Sequence, residues 1–121
     1  MLDQRTCEGP SMAFQNTLAR IQSKFIASLP ERLARILHLF DSISQGDDIL
    51  GSLHGIEQEL HKIAGVAGSV GHSRLGEHAS ELELRIAAYR AGDNSDVVII
   101  ADKIIAMTQF LSEIIDEHQR T

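Results

Sequence analysis

The apolar positions of this chain fall into five stripes, each with the spacing of one helix face. Phe14, Leu18, Ile21 and Phe25 recur at intervals of four, three and four, which places them on one side of a helix. Ser28-Leu29-Pro30-Glu31 reads as a fresh helix start: Ser28 can cap, Glu31 sits three residues on, and proline is tolerated in a first turn. The helix predicted from there turns Leu29, Leu33, Ile36, Phe40 and Ile43 inward, and Gln45-Gly46-Asp47-Asp48 ends it and caps the next. Ile49, Leu53, Ile56, Leu60, Ile63, Ala67 and Val70 form the cleanest seam, narrow enough for bundle packing. Gly71 stops that helix, and Ser73 is the expected cap of the next one, whose stripe is Leu75, Ala79, Leu82, Ile86 and Tyr89. After the turn Ala91-Gly92-Asp93-Asn94, with Ser95 as cap, the last helix faces Val97, Ile100, Ile104, Met107, Leu111 and Ile114 inward. Val98, Ile105 and Ile115 widen its apolar face, predicting burial on two sides. Short connections favour antiparallel neighbours. The expected fold is therefore all-α: an antiparallel four-helix bundle with an additional short N-terminal helix, over residues 11–121. Residues 1–10 are polar, contain Gly9-Pro10 and lack periodicity. They read as a flexible leader, with Ser11 capping the first helix.

Composition narrows the class. Hydrophobic residues make up 43% of the 121 and aromatics only 4%, which suits one helical domain with its own core and argues against a sheet. The net charge of −6, without a Lys/Arg cluster, argues against nucleic acid as a partner, because phosphate backbones demand a basic patch. Cys7 is the only cysteine, so no internal disulfide forms and a reducing compartment fits. No apolar run reaches the ~18–20 residues that span a bilayer, and no basic-then-apolar leader is present. A cytoplasmic location, no membrane association and a monomeric, self-contained bundle are the expectations.

The candidate chemistry lies at Leu60-His61-Lys62-Ile63-Ala64-Gly65-Val66-Ala67-Gly68-Ser69-Val70-Gly71. Leu60 is on the inner seam, so His61 turns about 100° away from it and toward solvent. Its face is shared by residues three, four and seven positions away: Gln58, Glu57 and His54 before it, and Ala64, Gly65 and Gly68 after it. The forward half of that face is nearly bare. Each glycine in a helix interior costs about 1 kcal/mol relative to alanine, so folding alone does not explain them. They fit a surface that a second protein must approach, close helix–helix contact, or a helix end. Gly71 fits the last, and Gly65, opposite the apolar seam, best fits the first.

A solvated imidazole is largely neutral near neutral pH, and its unprotonated nitrogen can attack phosphorus. Phosphoryl transfer needs in-line geometry and charge neutralisation and little else from the protein. The chain has no GxxxxGK[ST] loop, so a donor must bring the phosphoryl group. Glu57 or Gln58, one turn before His61, is placed to hold its other ring nitrogen and fix the tautomer. His72 is placed near the rim of the docking surface. No metal site is expected: HExxH and the Glu-x-x-His pairs of di-iron bundles are both absent.

His61-Lys62-Ile63-Ala64-Gly65, then Gly71, Leu75 and Leu82-Glu83, resembles the histidine-containing phosphotransfer (HPt) domain family, with most similarity to the HPt domains of hybrid sensor kinases. The resemblance implies that His61 is phosphorylated and passes the group between receiver-domain aspartates in a two-component phosphorelay. It implies a response-regulator receiver domain and a hybrid histidine kinase as partners, and no cofactor of the chain's own, the Mg²⁺ being held by the receiver. Gly65 would be the gap over which the receiver closes, with Gly68 on the same docking face. The family often has Lys three residues after its histidine, where this chain has Ala64. Lys62 points about 100° away from His61, and Arg74, at the start of the next helix, is a candidate substitute. Two alternatives keep the fold: the phosphotransfer domain of a chemotaxis-type kinase, phosphorylated by an ATP-binding domain elsewhere, and a helical adaptor that binds a receiver without chemistry.

Overall fold

The structure is a computed structural model that describes residues 12–93 and 96–120. The expected leader over 1–10, with Cys7, and the expected roles of Ser11, Asn94 and Ser95 lie outside the described residues. Among the described residues four α-helices run α1 (Met12–Ser44), α2 (Ile49–Ala67), α3 (Ser73–Arg90) and α4 (Val97–Arg120), with a 3₁₀ turn, Gly68–Val70, extending α2. Each helix packs on its neighbours in sequence, and α4 closes the ring against α1. No strand occurs among the described residues. The all-α antiparallel bundle is as the stripes predict.

The separate N-terminal helix is not. Met12 to Ser44 form one helix with Pro30 inside it. A proline in a helix interior removes one hydrogen bond and costs about 3 kcal/mol. Against that stand Phe25, Ile26, Leu29 and Ile36, all buried, with Leu29 and Ile36 fully so. Their spacing runs unbroken across Pro30, so ending the helix there would pull one half off the core. Pro30 itself faces solvent. Ser28 does not cap; its hydroxyl donates to the Phe25 carbonyl at 2.7 Å.

The other punctuation obeys local backbone needs. Gly46 (φ 78°) ends α1, and the Asp48 side chain caps α2 by accepting from the Gly51 amide at 3.2 Å. Gly71 (φ 91°) stops the 3₁₀ turn, and the His72 amide returns to the Ala67 carbonyl at 2.8 Å, a glycine-terminated helix end. Ser73 is already helical: His72 occupies the cap position without a side-chain bond. Asp96 caps α4 by accepting from the Val98 amide at 2.9 Å.

The core joins all four helices through Leu29, Leu53, Ile56, Leu60, Ile63, Leu75, Ile86, Ile104 and Leu111. The α2, α3 and α4 stripes are buried or half-buried as expected except at Ile49, which is exposed along with Phe14 and Ile21 of α1. The second buried side of α4 is also absent. Val98 and Ile105 are exposed and only Ile115 packs against the core, because a four-helix ring gives each member one inward face. No helix among the described residues is long and apolar enough to cross a membrane.

Candidate functional site

Leu60 and Ile63 anchor the middle of α2 with no exposed surface. Between them His61 is turned outward, its side chain 76% exposed. The anchor is rigid and the imidazole is free to be reached. Its orientation is set from the next helix: Nδ1 lies 2.8 Å from Oε2 of Glu83 on α3. An ionised carboxylate only accepts, so Nδ1 carries the hydrogen and donates it. The neutral ring then has its lone pair on Nε2, which has no hydrogen-bond partner among the described residues. Glu83 comes directly after the buried Leu82 and is itself only 21% exposed in its side chain, so the core of the α2–α3 seam holds the acceptor in place.

The expected orienting groups are engaged differently. Glu57 accepts from Arg90 Nη1 at 2.7 Å, with His54 at 3.9 Å. Gln58 is exposed. Both nevertheless line one shallow depression together with His61, Lys62 and Glu83. Lys62 leans toward Glu59, with Nζ 3.9 Å from Oε2. Glu59 is buried and its other oxygen accepts from Arg32 (3.1 Å) and Arg35 (3.3 Å) of α1. The α1–α2 flank of the site is thus clamped by charge, and the α2–α3 flank by packing together with the Arg90–Glu57 and His61–Glu83 contacts.

The glycines separate into two kinds. A Cβ on Gly65 or Gly68 would meet nothing within 4 Å; both face open space, one and two turns beyond His61. A Cβ on Gly76 of α3, a position that helical spacing does not mark out, would stand 3.4 Å from the Gly68 amide nitrogen and 3.5 Å from Ala67 Cβ. The start of α3 thus packs closely on the end of α2 at Gly76, where a side chain would crowd the Gly68 backbone. Ala64 is half-buried and packs against the core.

Arg74 is not beside His61. Its guanidinium lies 5.8 Å from the centre of the Phe110 ring, in a groove on the opposite side of α3 that also holds His78, Met107 and Lys103. His72 packs against Phe25 of α1 at 6.0 Å. No group of three or more His, Cys, Asp or Glu side chains suited to a metal ion is present among the described residues.

The residue that sequence reasoning left without a role is Glu83. It was visible only as a position of the family motif. Assigning it a task requires the α2–α3 register, in which buried Leu60 and Leu82 bring the residues after them, His61 and Glu83, side by side.

A comparison with curated proteins finds no match, and a comparison with solved structures finds none either. The family model described as Hpt domain matches residues 20–118, a span that contains α2 and α3 whole, nearly all of α4 and most of α1. With an exposed, carboxylate-oriented histidine at the middle of that span, the chain belongs to the Hpt domain family, whose members carry out histidine phosphotransfer in two-component systems with receiver domains and kinases.

Proposed function

We propose that His61 is the phosphoryl carrier of this domain, accepting the group from the aspartyl phosphate of one receiver domain and giving it to the aspartate of another. The observation that carries the reading is the Nδ1–H···Oε2 bond to Glu83 at 2.8 Å, which in the neutral ring puts the lone pair on Nε2, on an open surface. The lone pair of Nε2 attacks phosphorus, forming the N–P bond. The P–O bond to the receiver's aspartate breaks, and its electron pair leaves with the carboxylate. The ring gains positive charge while Nδ1 keeps its hydrogen, and the Glu83 carboxylate stabilises that charge across a charge-assisted bond. Return of the phosphoryl group to a second aspartate reverses each of these changes. The metal that neutralises the aspartyl phosphate belongs to the receiver, and this chain supplies nucleophile, orientation and access.

Access is the task of Gly65 and Gly68. A receiver must place its phosphoryl group in line with Nε2, which brings its loops down onto α2 within the first turns after His61. Two open glycines there leave room for a backbone to pass. The same geometry weighs against the adaptor reading, since a docking surface without chemistry has no use for a histidine held in one tautomer. A hybrid histidine kinase as donor and a response regulator as acceptor are the partners this reading carries.

The test mixes the protein with a receiver domain phosphorylated by radiolabelled acetyl phosphate and tracks acid-labile, base-stable label on the chain. We expect label on the unmodified protein and none on His61→Gln. Label retained by His61→Gln would remove His61 as the acceptor, and receiver binding without transfer to the unmodified protein would favour the adaptor.

A further inference from the structure

We infer that Lys62 is a catalytic residue of this site: it exchanges its contact with Glu59 for the phosphoryl group on His61 and supplies a mobile positive charge there. The inference rests on His61 being the acceptor.

A phosphoryl group on Nε2 places nearly two negative charges beside a carboxylate. Glu83 is hydrogen-bonded to the same ring, and Glu57 lines the same depression. Unopposed, the two acids repel the arriving group. Most of the nearby cations are committed elsewhere. Arg90 is held on Glu57 at 2.7 Å. Arg32 and Arg35 are held on Glu59. Arg74 is across α3, over Phe110. Position 64, where a lysine would share the face of His61, is a half-buried alanine packed on the core. Among the described residues, the one remaining cation that lines the depression is Lys62.

Lys62 is also the most weakly committed of these groups. Its ammonium stands 3.9 Å from Glu59 Oε2, beyond ordinary hydrogen-bond length. Glu59 does not depend on it, because two guanidiniums already approach the other carboxylate oxygen at 3.1 and 3.3 Å. The side chain is 57% exposed, so its four-carbon stem swings in water at little cost. A lysine suits a monodentate, mobile counter-charge of this kind. The two α1 arginines thus have a second consequence: they satisfy the buried carboxylate and leave the neighbouring ammonium free for the phosphoryl group. No bond to Lys62 forms or breaks; it stays protonated and acts by charge and hydrogen bonding while the N–P bond forms at His61.

The experiment compares Lys62→Gln, Lys62→Arg and His61→Gln with the unmodified protein, each checked for helicity. Two readouts are the rate of label transfer from a receiver phosphorylated with acetyl phosphate and the hydrolysis half-life of the phosphorylated protein after the receiver is removed. Losing one counter-charge at a solvated site is expected to slow transfer about three- to tenfold in Lys62→Gln and change the half-life, with Lys62→Arg within about twofold of the unmodified protein. Lys62→Gln at the unmodified rate, or Lys62→Arg as slow as Lys62→Gln, overturns the role of Lys62 and leaves His61 standing. Label persisting on His61→Gln overturns both.

Discussion

The two sides of α3 each hold a histidine beside a surface depression, and they differ in what the imidazole touches. Toward α2, His61 donates Nδ1–H to a carboxylate 2.8 Å away, and its other nitrogen faces open space beside bare glycines. Toward α4, His78 meets the Phe110 ring edge-on at 5.5 Å and 90°, with Arg74 also over that ring. Among the described residues the second histidine has packing and no partner that chooses between its nitrogens. A histidine becomes a nucleophile when one nitrogen is given a fixed acceptor and the other is given clear space, and only the α2 side supplies both. Exposure alone does not separate them, since His78 is exposed as well.

The largest effect should come from removing each histidine in turn. His61→Gln is expected to abolish acid-labile labelling, whereas His78→Gln should transfer within about twofold of the unmodified protein, because an edge-on aromatic contact contributes about 0.5–1.5 kcal/mol to packing and nothing to attack on phosphorus. Equal loss in both variants, with folding intact by circular dichroism, would erase the distinction between the sides.

Gly65→Glu attacks the clear space rather than the nucleophile. The helix should be unharmed or firmer by up to about 1 kcal/mol, since a glycine leaves a helix interior and a Cβ there meets nothing. Transfer should fall tenfold or more, through bulk under the receiver and repulsion of its acidic pocket, a cost of about 1.4 kcal/mol or more. A melting temperature that is held or raised, together with slowed transfer, is the expected signature. Unchanged kinetics would remove the docking role of Gly65.

These two variants also mark what was legible in the sequence. The outward turn of His61 came from one residue's rotation past Leu60 on a regular stripe, and the bare flank came from the same periodicity. Both are properties of one helix. Glu83 is 22 positions away, and its task depends on how far α3 slides along α2, a register in which Leu82 is buried and Gly76 lies close to the end of α2. Glu57 shared the right face, but Arg90 lies opposite it in that register and takes its carboxylate. The break expected at Pro30 shows the complementary failure. The local signs of a helix start were all present, and the apolar spacing from Phe25 through Leu29 to Ile36 ran straight through them. Burial of Phe25, Ile26, Leu29 and Ile36, on both sides of Pro30, outweighs one missing hydrogen bond.

Glu83→Gln sharpens the comparison from the side of the acceptor. The amide oxygen can still receive Nδ1–H, so tautomer and orientation are kept, while the negative charge that stabilises the phosphorylated ring is lost. Charged hydrogen bonds are about twice as strong as neutral ones. The expected result is a three- to tenfold slower transfer at near-normal receiver affinity. Glu83→Leu, which removes the acceptor altogether, should be slower than Glu83→Gln; the two being equal would mean that neither charge nor tautomer is set from α3.

The smallest effect is expected from Arg74→Ala, and it is informative because the absence of the family's lysine at position 64 made this arginine a candidate counter-charge. The structure gives its guanidinium a ring to rest on, 5.8 Å from the Phe110 centroid, and no shared depression with His61. Removing it should lower stability by about 0.5–1 kcal/mol, the range of an exposed cation–π contact, and leave transfer within about twofold. If Arg74→Ala instead slowed transfer as much as Lys62→Gln, the charge that meets the phosphoryl group would be reaching it around the end of α3, and the two sides of that helix would be one site.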